Sequence, residues 1–403
     1  MKKITFLFVF IIGAYNFIFA QDIVNLTTTQ TISDALSSYS GTGDNVVLIV
    51  PAGYTNPQGT TLTDLTTYSW IKASTKLTIK GDGTMPTANL SQFKLPIALT
   101  KFEVSNLVIV GPNTSLTSNY LVNMSDKTTA EIDSFVISNC IVEGYRSMLR
   151  FQNTDVAVKQ RAKAVVIRNS VFRNFPDYGV VYNNKAASFM DNISVNNCTF
   201  YGMFDYVLNI PNNITSVNVS NSTFDNVGLN TASLRNVVNL GSQTTPINFS
   251  NNIVGRSLTA GALINGGTIT ISNSYLTSDA TFIESVPAAG TTASGAVQKL
   301  AVSASVLFKT LSSVSGTGAA QSTTVGDYTI IDNTFVGKSS AGDPRWYAVS
   351  TSINNVQINS NSLVSIYTVE GKILRKNVLF KDVVNQLKNG IYIVNNKKLV
   401  ISR

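Results

Sequence analysis

An eight-residue pattern, VVIRNSVF at 165–172, recurs along the chain and constrains the fold more than any other feature. In each copy, alternating apolar residues lead to an asparagine, and an apolar residue follows it. The asparagines are Asn106, Asn139, Asn169, Asn197, Asn221, Asn251, Asn273 and Asn333, with spacings of 33, 30, 28, 24, 30, 22 and 60 residues. Spacings in this range are typical of stacked repeats, so we interpret each copy as one turn of a repeating structure.

The alternation within each copy predicts a short strand with one buried face and one exposed face. Pairs such as Val165 and Ile167 would point inward, whereas a column running from Ser138 and Arg168 to Ser272 and Asp332 would point outward. A further apolar strand precedes most copies, beginning at Tyr120, Ser147, Tyr178, Tyr206, Asn236, Ala262 and Thr281. Three short parallel strands per coil, stacked in register, predict an all-β fold, a parallel β-helix of about eight or more coils.

The asparagine explains the corner that follows each strand. Among residues with a side chain, asparagine best tolerates the left-handed backbone conformation, and it also hydrogen-bonds locally. An aromatic residue follows several corners, at Phe172, Phe200, Phe224 and Phe335. These rings are predicted to form an internal stack.

The coil with its corner asparagine resembles the right-handed parallel β-helix of the pectate-lyase-like superfamily. The GDPRW sequence at 342–346 resembles an uncharacterised Bacteroidetes surface family of that fold. The resemblance implies a right-handed parallel β-helix domain over residues 21–348 and an extracellular polysaccharide as partner.

The ends of the chain indicate export. Residues 1–20 combine Lys2 and Lys3 with an apolar run, as a secretory signal peptide does, and the mature chain has no other segment apolar enough to span a membrane. Residues 349–403 are predicted to form a small C-terminal β-sandwich-like domain. Its Gly390-Ile391-Tyr392 strand and basic final strand, 397–403, resemble the type IX secretion sorting domain. That resemblance implies outer-membrane secretion machinery as partner and a secreted or outer-membrane cell-surface location.

The sequence also predicts the local structure of three other segments. The sequence TISDALSSY at 31–39 predicts a short helix that caps the open end of the solenoid. Residues 52–75 are predicted to be a surface loop. Residues 280–325, rich in Ala, Gly, Ser and Thr, are predicted to hold one degenerate coil and flexible loops.

Composition excludes several classes of function. The chain has no histidine, which excludes histidine-dependent triads, histidine zinc sites and histidine general bases. Only 13% of residues are charged and the net charge is a modest +8, which is not a nucleic-acid-binding signature. Cys140 and Cys198 lie two coils apart, roughly 9 to 10 Å, which is too far for a disulfide. We therefore expect free, structural thiols.

A cluster of basic residues between 145 and 173 is the main candidate site. It contains Arg146, Arg150, Lys159, Arg161, Lys163, Arg168 and Arg173 against Asp155 alone. Such a cluster predicts a local positive field, and arginine pairs with carboxylates through two parallel hydrogen bonds. Arg150 falls in an outward column with Asn123, Asn209, Asn239 and Glu284. Tyr145 and Tyr178 would offer rings on which a sugar stacks, and Lys159, Arg161 and Lys163 would overhang the same coils.

Three functions remain open at this point. The first is binding of an extracellular, acidic, pectin-like polysaccharide by Arg146, Arg150, Lys159, Arg161, Arg168, Tyr145, Tyr178, Asn123 and Asn209. The second is a polysaccharide lyase acting by β-elimination, with Arg150 or Lys159 as base and Arg146 or Arg161 neutralising the uronate. Calcium would be required only in that case, with Glu143, Asp177 and Asp205 as scattered candidate ligands. The third is a structural or adhesive surface rod, in which the basic residues only form a solvated edge.

The tripeptide Asn153-Thr154-Asp155 matches one short motif of the polygalacturonases, which resemble this chain in fold. Their partner motifs, an adjacent aspartate pair and a Gly-His-Gly, are missing from the sequence. We therefore interpret Asp155 as a turn residue.

Overall fold

The computed structural model describes residues 21–55, 62–90, 92–124, 128–258, 261–283, 285–347, 363–368, 372–383, 386–387, 390–394 and 397–401. The predicted signal peptide, residues 1–20, lies outside this described part. The chain divides into two compact units, residues 1–347 and 348–403. No helix among the described residues is both long and apolar enough to cross a membrane.

The first unit is a parallel β-helix with three sheets, as predicted. Sheet A has eleven strands: Asp22–Asn25, Asn45–Val50, Lys76–Gly81, Ala98–Ser105, Ala130–Ser138, Gln160–Arg168, Ser188–Asn196, Ile214–Ser220, Pro246–Ser250, Thr268–Ser272 and Ala293–Ser294. Sheet B has eight: Thr63–Asp64, Phe93–Lys94, Tyr120–Met124, Ser147–Phe151, Val181–Asn183, Leu208–Asn209, Val238–Asn239 and Ile264–Asn265. Sheet C has nine: Thr87–Asn89, Val108–Val110, Ile141–Glu143, Val171–Phe175, Thr199–Met203, Thr223–Val227, Ile253–Val254, Tyr275–Leu276 and Gln298–Lys299.

Corner asparagines join seven consecutive strands of sheet A, from Ala98–Ser105 to Thr268–Ser272, to the following strands of sheet C. Asn106, Asn139, Asn169, Asn197, Asn221, Asn251 and Asn273 all have positive φ angles between 42° and 56°. This left-handed conformation is the one that asparagine tolerates best. The prediction of an eighth corner at Asn333 is wrong. Asn333 lies in a turn outside the coils, and its φ angle is not positive.

The core lies inside the coils and contains the predicted aromatic stack. Neighbouring ring centroids are 5.1 Å apart for Phe172 and Phe200, 5.2 Å for Phe200 and Phe224, and 6.0 Å for Phe224 and Phe249. Phe335 was expected in this stack, but it packs against Tyr275 on the outer side of sheet C. The predicted inward pairs, including Val165 and Ile167, are buried.

Helix α1, Ile32–Ser38, closes the N-terminal end as expected. Thr31 and Asp34 form a capping box, and Ile32, Ala35 and Leu36 are buried against the first coils. The predicted loop at 52–75 is partly wrong, since Thr63–Asp64 is the first strand of sheet B and a 3-10 helix follows at Leu65–Thr67.

Residues 304–347, here called the strap, fold back over the outer face of sheet C. The strap contains helix α2 (Ala304–Leu307), strands Phe308–Thr310, Val314–Ser315, Ser322–Thr323 and Asp327–Ile330, and 3-10 helices Gly318–Ala320 and Pro344–Trp346. One degenerate coil does occur, since Ala293–Ser294 and Gln298–Lys299 extend sheets A and C. From residue 304 onward the predicted loops of 280–325 pack on the coils, because Leu307 and Phe308 are buried against sheet C and Gln321 Nε2 donates to Gly202 O at 2.7 Å.

Buried polar contacts fix the strap in place. The Tyr328 hydroxyl donates to Asp225 Oδ2 at 2.9 Å, and Asp225 is fully buried and also pairs with Arg256 at 2.6 Å. In the GDPRW sequence, Asp343 Oδ2 accepts a bond from the Thr199 hydroxyl at 2.7 Å, and Trp346 Nε1 donates to the same hydroxyl at 2.6 Å. The motif therefore anchors the end of the strap to sheet C.

The second unit contains one antiparallel sheet. Its strands are Leu363–Thr368, Ile373–Leu379, Gly390–Val394 and Lys397–Ile401, in the spatial order second, first, third, fourth. Helix α3, Phe380–Val383, buries Phe380 and Val383 against this sheet. The described part of residues 348–403 thus contains one antiparallel sheet with helix α3 packed on it.

The two cysteines are free and buried inside the coils. Burial raises the pKa of the Cys140 thiol and that of the Cys198 thiol to about 12. Both backbone amides at these positions donate to a serine hydroxyl of the next coil, Ser170 and Ser222 respectively. The cysteines therefore occupy positions in a buried polar column rather than a reactive site.

The corner conformation yields a stability prediction. The Asn221 side chain makes no hydrogen bond to another described residue, so replacing it changes mainly the backbone preference at φ 49°. Asn221→Ala should lower the free energy of unfolding by about 1 to 2 kcal/mol, and Asn221→Gly by clearly less. The control Asn248→Ala, at an exposed strand position, should change it by under about 0.5 kcal/mol. Equal losses for the alanine and glycine variants in urea unfolding would contradict the argument.

Thiol labelling tests the cysteine assignment. Because only the thiolate reacts, neither Cys140 nor Cys198 should be alkylated by iodoacetamide in the folded protein at pH 8, and both should react in denaturant. Mass spectrometry counts the labelled sites. Rapid labelling of either thiol, with the circular dichroism spectrum unchanged, would show that the thiol is not buried as described.

Candidate functional site

Sheet B presents one outward residue per coil in a straight column. Strand register aligns Arg150 with Asn123 and with Tyr182, and then continues through Asn209 to the end of the sheet. The members of this outer column are Asn123, Arg150, Tyr182, Asn209, Asn239 and Asn265. The predicted alignment of Asn123, Arg150, Asn209 and Asn239 is confirmed. Glu284, also expected there, lies outside the described residues, and Tyr182 was missed.

The C-terminal half of the outer column is an amide ladder. Asn239 Nδ2 donates to Asn209 Oδ1 at 2.9 Å, and Asn265 Nδ2 donates to Asn239 Oδ1 at 2.9 Å. Each amide can make further hydrogen bonds on its solvent side. The ladder therefore offers repeated donors and acceptors, spaced by roughly 4.8 Å.

Arg150 occupies an aromatic box at the other half of the column. Its guanidinium carbon lies 5.2 Å from the ring centroid of Tyr120 and 5.0 Å from that of Tyr178. Nη1 donates to Asn123 Oδ1 at 3.1 Å, while Nε is buried without any hydrogen-bond partner. Arg150 is only 9% exposed, and no described carboxylate pairs with it. A buried cation without a counter-charge is costly, which marks this side chain as unusual.

Arg146, directly before the Ser147–Phe151 strand that contains Arg150, is fully paired. Its Nε and Nη2 both donate to Asp177 Oδ2, at 2.9 and 2.6 Å, and Nη1 donates to the Tyr120 hydroxyl at 2.8 Å. Its guanidinium carbon lies 3.8 Å from the Tyr178 centroid. Burial alone would lower the pKa of Arg146, but the bonds and charge of Asp177 raise it. Arg146 therefore positions Tyr120 and Tyr178 around Arg150.

Tyr178 and Tyr182 form a stacked aromatic pair at the edge of the box. Their rings stack with centroids 4.2 Å apart, and Tyr178 is half-buried in a turn with φ of 45°. Tyr182 is only 5% exposed, and burial raises the pKa of its hydroxyl to about 12. Tyr178 is therefore the member of the pair whose ring can receive the face of a sugar.

A related arrangement recurs two coils further on. Arg235 Nε donates to Asp205 Oδ1 at 2.6 Å, and its guanidinium lies 5.2 Å from the Tyr206 centroid. Burial raises the pKa of Asp205 in spite of the opposing charge of Arg235. The contrast is informative, because here, as at Arg146, a carboxylate accompanies the arginine.

The predicted positive field over residues 145–173 is wrong. Stacking brings acids from neighbouring coils against most of the cations, about thirty residues away in sequence. The pairs are Arg146 with Asp177 at 2.6 Å, Arg161 with Asp191 at 2.6 Å, Lys163 with Asp133 at 2.7 Å and with Glu131 at 3.0 Å, and Arg173 with Glu143 at 2.5 Å. The prediction missed these acidic partners because it counted charges only within residues 145–173.

The remaining predicted residues lie apart from one another. Tyr145 cannot stack on a ligand, because it is fully buried and its hydroxyl donates to Leu90 O at 2.6 Å. Lys159 is exposed in the turn before a strand of sheet A, and Arg168 is exposed on the outer face of sheet A. The structure thus groups Arg146, Arg150, Tyr178 and Asn123, and separates them from Lys159, Arg161 and Arg168.

The residues present do not fit a calcium site. Glu143, Asp177 and Asp205 each pair with an arginine, and no cluster of three or more acidic or thiol ligands occurs among the described residues. Asn153 and Asp155 form a turn, in which Asp155 N donates to Asn153 Oδ1 at 3.0 Å and Asn153 Nδ2 donates to Asp155 O at 2.9 Å. That turn agrees with the structural interpretation of the Asn-Thr-Asp tripeptide.

Aligning one coil beneath the next would have revealed the missed residues. Asp177 lies 31 residues beyond Arg146, and Tyr182 lies one coil beyond Arg150 in register. Tyr120, which the prediction treated only as the start of a strand, also contacts both arginines. The repeat spacing therefore contained the information that these residues are neighbours. That information can be used only when the exact length of each coil is known.

Comparison with known proteins adds a family similarity. The family model described as a domain of unknown function, DUF4957, matches residues 63–203, which include the whole aromatic box and lie within the parallel β-helix. No curated protein matches the chain. The similarity therefore agrees with the fold and leaves the activity to be argued from the site.

Proposed function

We propose that this chain is a secreted cell-surface β-helix that binds an acidic extracellular polysaccharide on the outer face of sheet B, without catalysis. The observation that carries the proposal is Arg150, a buried guanidinium in a box of tyrosines that no carboxylate of the described chain neutralises. A uronate carboxylate docking on this face would supply the missing counter-charge through charge-assisted hydrogen bonds.

The neighbouring side chains fit a polymer. The half-buried ring of Tyr178 offers an aromatic surface beside the guanidinium, and the amides of Asn209, Asn239 and Asn265 continue along the same column. Sugar hydroxyls can both donate to and accept from such amides. The proposed ligand is therefore a chain that runs along the axis of the β-helix, with a carboxylate at Arg150 and hydroxyls on the ladder.

The export signals belong to the same proposal. Residues 1–20 would direct secretion, and the strands around Gly390–Val394 and Lys397–Ile401, which resemble a type IX sorting domain, would deliver the chain to the cell surface through outer-membrane machinery. In this proposal the chain is a Bacteroidetes protein of the pectate-lyase-like superfamily.

No specific observation favours the lyase. Arg150 is held between two rings and Arg146 is bound to Asp177, so neither is placed as a free base or as a free partner for a uronate in elimination. Lys159 lies on a different part of the surface.

Arg150→Gln tests the proposal. Titration calorimetry with polygalacturonate and other polyuronates should show affinity about 10- to 100-fold weaker than that of the wild type, because a charge-assisted bond contributes about 1.5 to 3 kcal/mol. Arg150→Lys keeps the charge but loses the planar fork, so it should lie between the two. The control Lys309→Gln removes an equally charged but exposed side chain and should bind as the wild type does.

The outcomes of that experiment are distinct. Wild-type affinity in a folded Arg150→Gln variant would refute the site, and no polyuronate binding by the wild type would refute the function. A rise in ultraviolet absorbance from unsaturated uronide, with or without calcium, would show that the protein is a lyase and not only a binding protein. A neutral glycan bound equally well by both variants would show that charge is not what is recognised.

The Asp177→Asn variant should have the opposite effect on polyuronate affinity. The asparagine keeps Oδ1, which accepts from Tyr178 N at 2.7 Å, but no longer neutralises Arg146. Two unpaired guanidinium groups would then lie side by side, and polyuronate affinity at low ionic strength should rise about 3- to 10-fold. Asp191→Asn makes the same change in net charge beside Arg161 on sheet A and should leave the affinity unchanged. Equal gains in both variants would point to net charge alone.

A further inference from the structure

A groove of about 730 Å³ crosses the outer face of sheet A in the N-terminal coils. We call it the sheet A groove and define it by six of its lining residues, Lys80, Lys101, Glu103, Ser105, Ser138 and Arg168. The groove shares no lining residue with the aromatic box of sheet B. Its lining is mainly polar, in contrast to the apolar interior of the coils beneath it.

Register defines the geometry of the sheet A groove. Lys80, Ser105, Ser138 and Arg168 occupy the same outward position in four successive coils. The Cα atoms of Lys80 and Arg168 are therefore roughly 14 Å apart, at about 4.8 Å per coil. Two cations thus stand at the ends of a short column whose middle is formed by two serines.

The charges in the sheet A groove are only partly paired. Lys101 pairs with Glu103 at 2.6 Å, and Glu103 Oε1 also accepts from the Ser138 hydroxyl at 3.2 Å. Lys80 and Arg168 are exposed, and neither pairs with a carboxylate of the described chain. Two uncompensated positive charges therefore remain.

The acid at the rim, Asp82, forms no salt bridge with Lys80 or Arg168 in the described structure. Asp82 Oδ2 accepts from Ala52 N at 2.7 Å, and Oδ1 accepts from the Thr84 amide at 3.0 Å and from its hydroxyl at 2.7 Å. These hydrogen bonds, led by that from the Thr84 hydroxyl, lower the pKa of Asp82. The carboxylate is thus committed to holding a turn together.

We propose that the sheet A groove binds sulfate-ester groups of a sulfated polysaccharide, at a site separate from Arg150. At each end of the groove a cation lies beside a neutral donor, Lys80 beside Ser105 and Arg168 beside Asn139. Donors that approach from two different side chains suit the three peripheral oxygens of a tetrahedral ester better than the two coplanar oxygens of a carboxylate. Lysine also acts as a point charge rather than as a planar fork.

The surroundings of the groove favour a polymer over a free ion. The groove is open along the column, and Ser105, which makes no hydrogen bond to another described residue, lies on its floor. Two cations roughly 14 Å apart can engage esters on different sugars of one chain. A single inorganic sulfate would reach only one of them.

The double variant Lys80→Gln/Arg168→Gln of the full chain tests this proposal. Calorimetry with dextran sulfate as the probe should show binding roughly 2- to 30-fold weaker than wild type at low salt, since each of the two exposed ion pairs contributes about 0.2 to 1 kcal/mol. Unsulfated dextran is the uncharged counterpart. The control Lys299→Gln/Lys309→Gln removes two exposed cations elsewhere and should retain wild-type affinity. Unsulfated dextran should not bind.

Three results would overturn the proposal. The first is wild-type affinity for dextran sulfate in the groove variant, and the second is an equal loss in the control variant, which would indicate non-specific attraction. The third is a loss of polygalacturonate binding in the groove variant, which would assign carboxylates to the groove. Arg150→Gln should leave dextran sulfate binding intact, so failure of this inference is distinguishable from failure of the sheet B function.

Discussion

In-register hydrogen bonding between parallel coils is the constraint on which the rest of the structure depends. Once Ser138 pairs with Arg168, and Leu149 with Val181, every side chain that shares a position in the coil falls into a line along the axis. The Phe172 stack, the amide ladder of sheet B and the serine column of sheet A are three consequences of the same register. The seven left-handed corner asparagines maintain this register, because they let the strands of sheet A from Ala98–Ser105 to Thr268–Ser272 turn into sheet C at the same place.

The register also decides the electrostatics. Most cations of residues 145–173 lie beside an acid of the adjacent coil, and such exposed or half-buried pairs contribute little to stability but remove the local field. Arg150 differs because its neighbours across the coils are Asn123 and Tyr182, neither of which carries a negative charge. The amide and two tyrosine rings solvate the guanidinium only partly. That incomplete solvation is the physical basis for assigning an anionic ligand to it.

The strap determines which outer faces of the coils remain exposed. By covering sheet C from Val171 to Tyr275, it gives the coils a second apolar layer and leaves the outer faces of sheets A and B for ligands. The buried Tyr328, Asp225 and Arg256 contacts fix the strap, and the GDPRW sequence holds its end on Thr199 and Thr223. A sequence that looks like flexible decoration is therefore structural, because its few large apolar residues meet outward apolar residues of sheet C.

The sequence by itself determined the parallel β-helix, the N-terminal cap, seven of the eight asparagine corners and the outward column that contains Arg150, since all of these follow from local periodicity and from the backbone preference of asparagine. Tertiary structure alone decided that Tyr145 is buried, that Phe335 lies outside the stack, that 304–347 is a strap, and that most of the basic cluster is neutralised. The physical reason is distance along the chain. Asp177 pairs with Arg146 from 31 residues away, and Tyr328 reaches Asp225 from 103 residues away, and only the stacked coils bring such residues together.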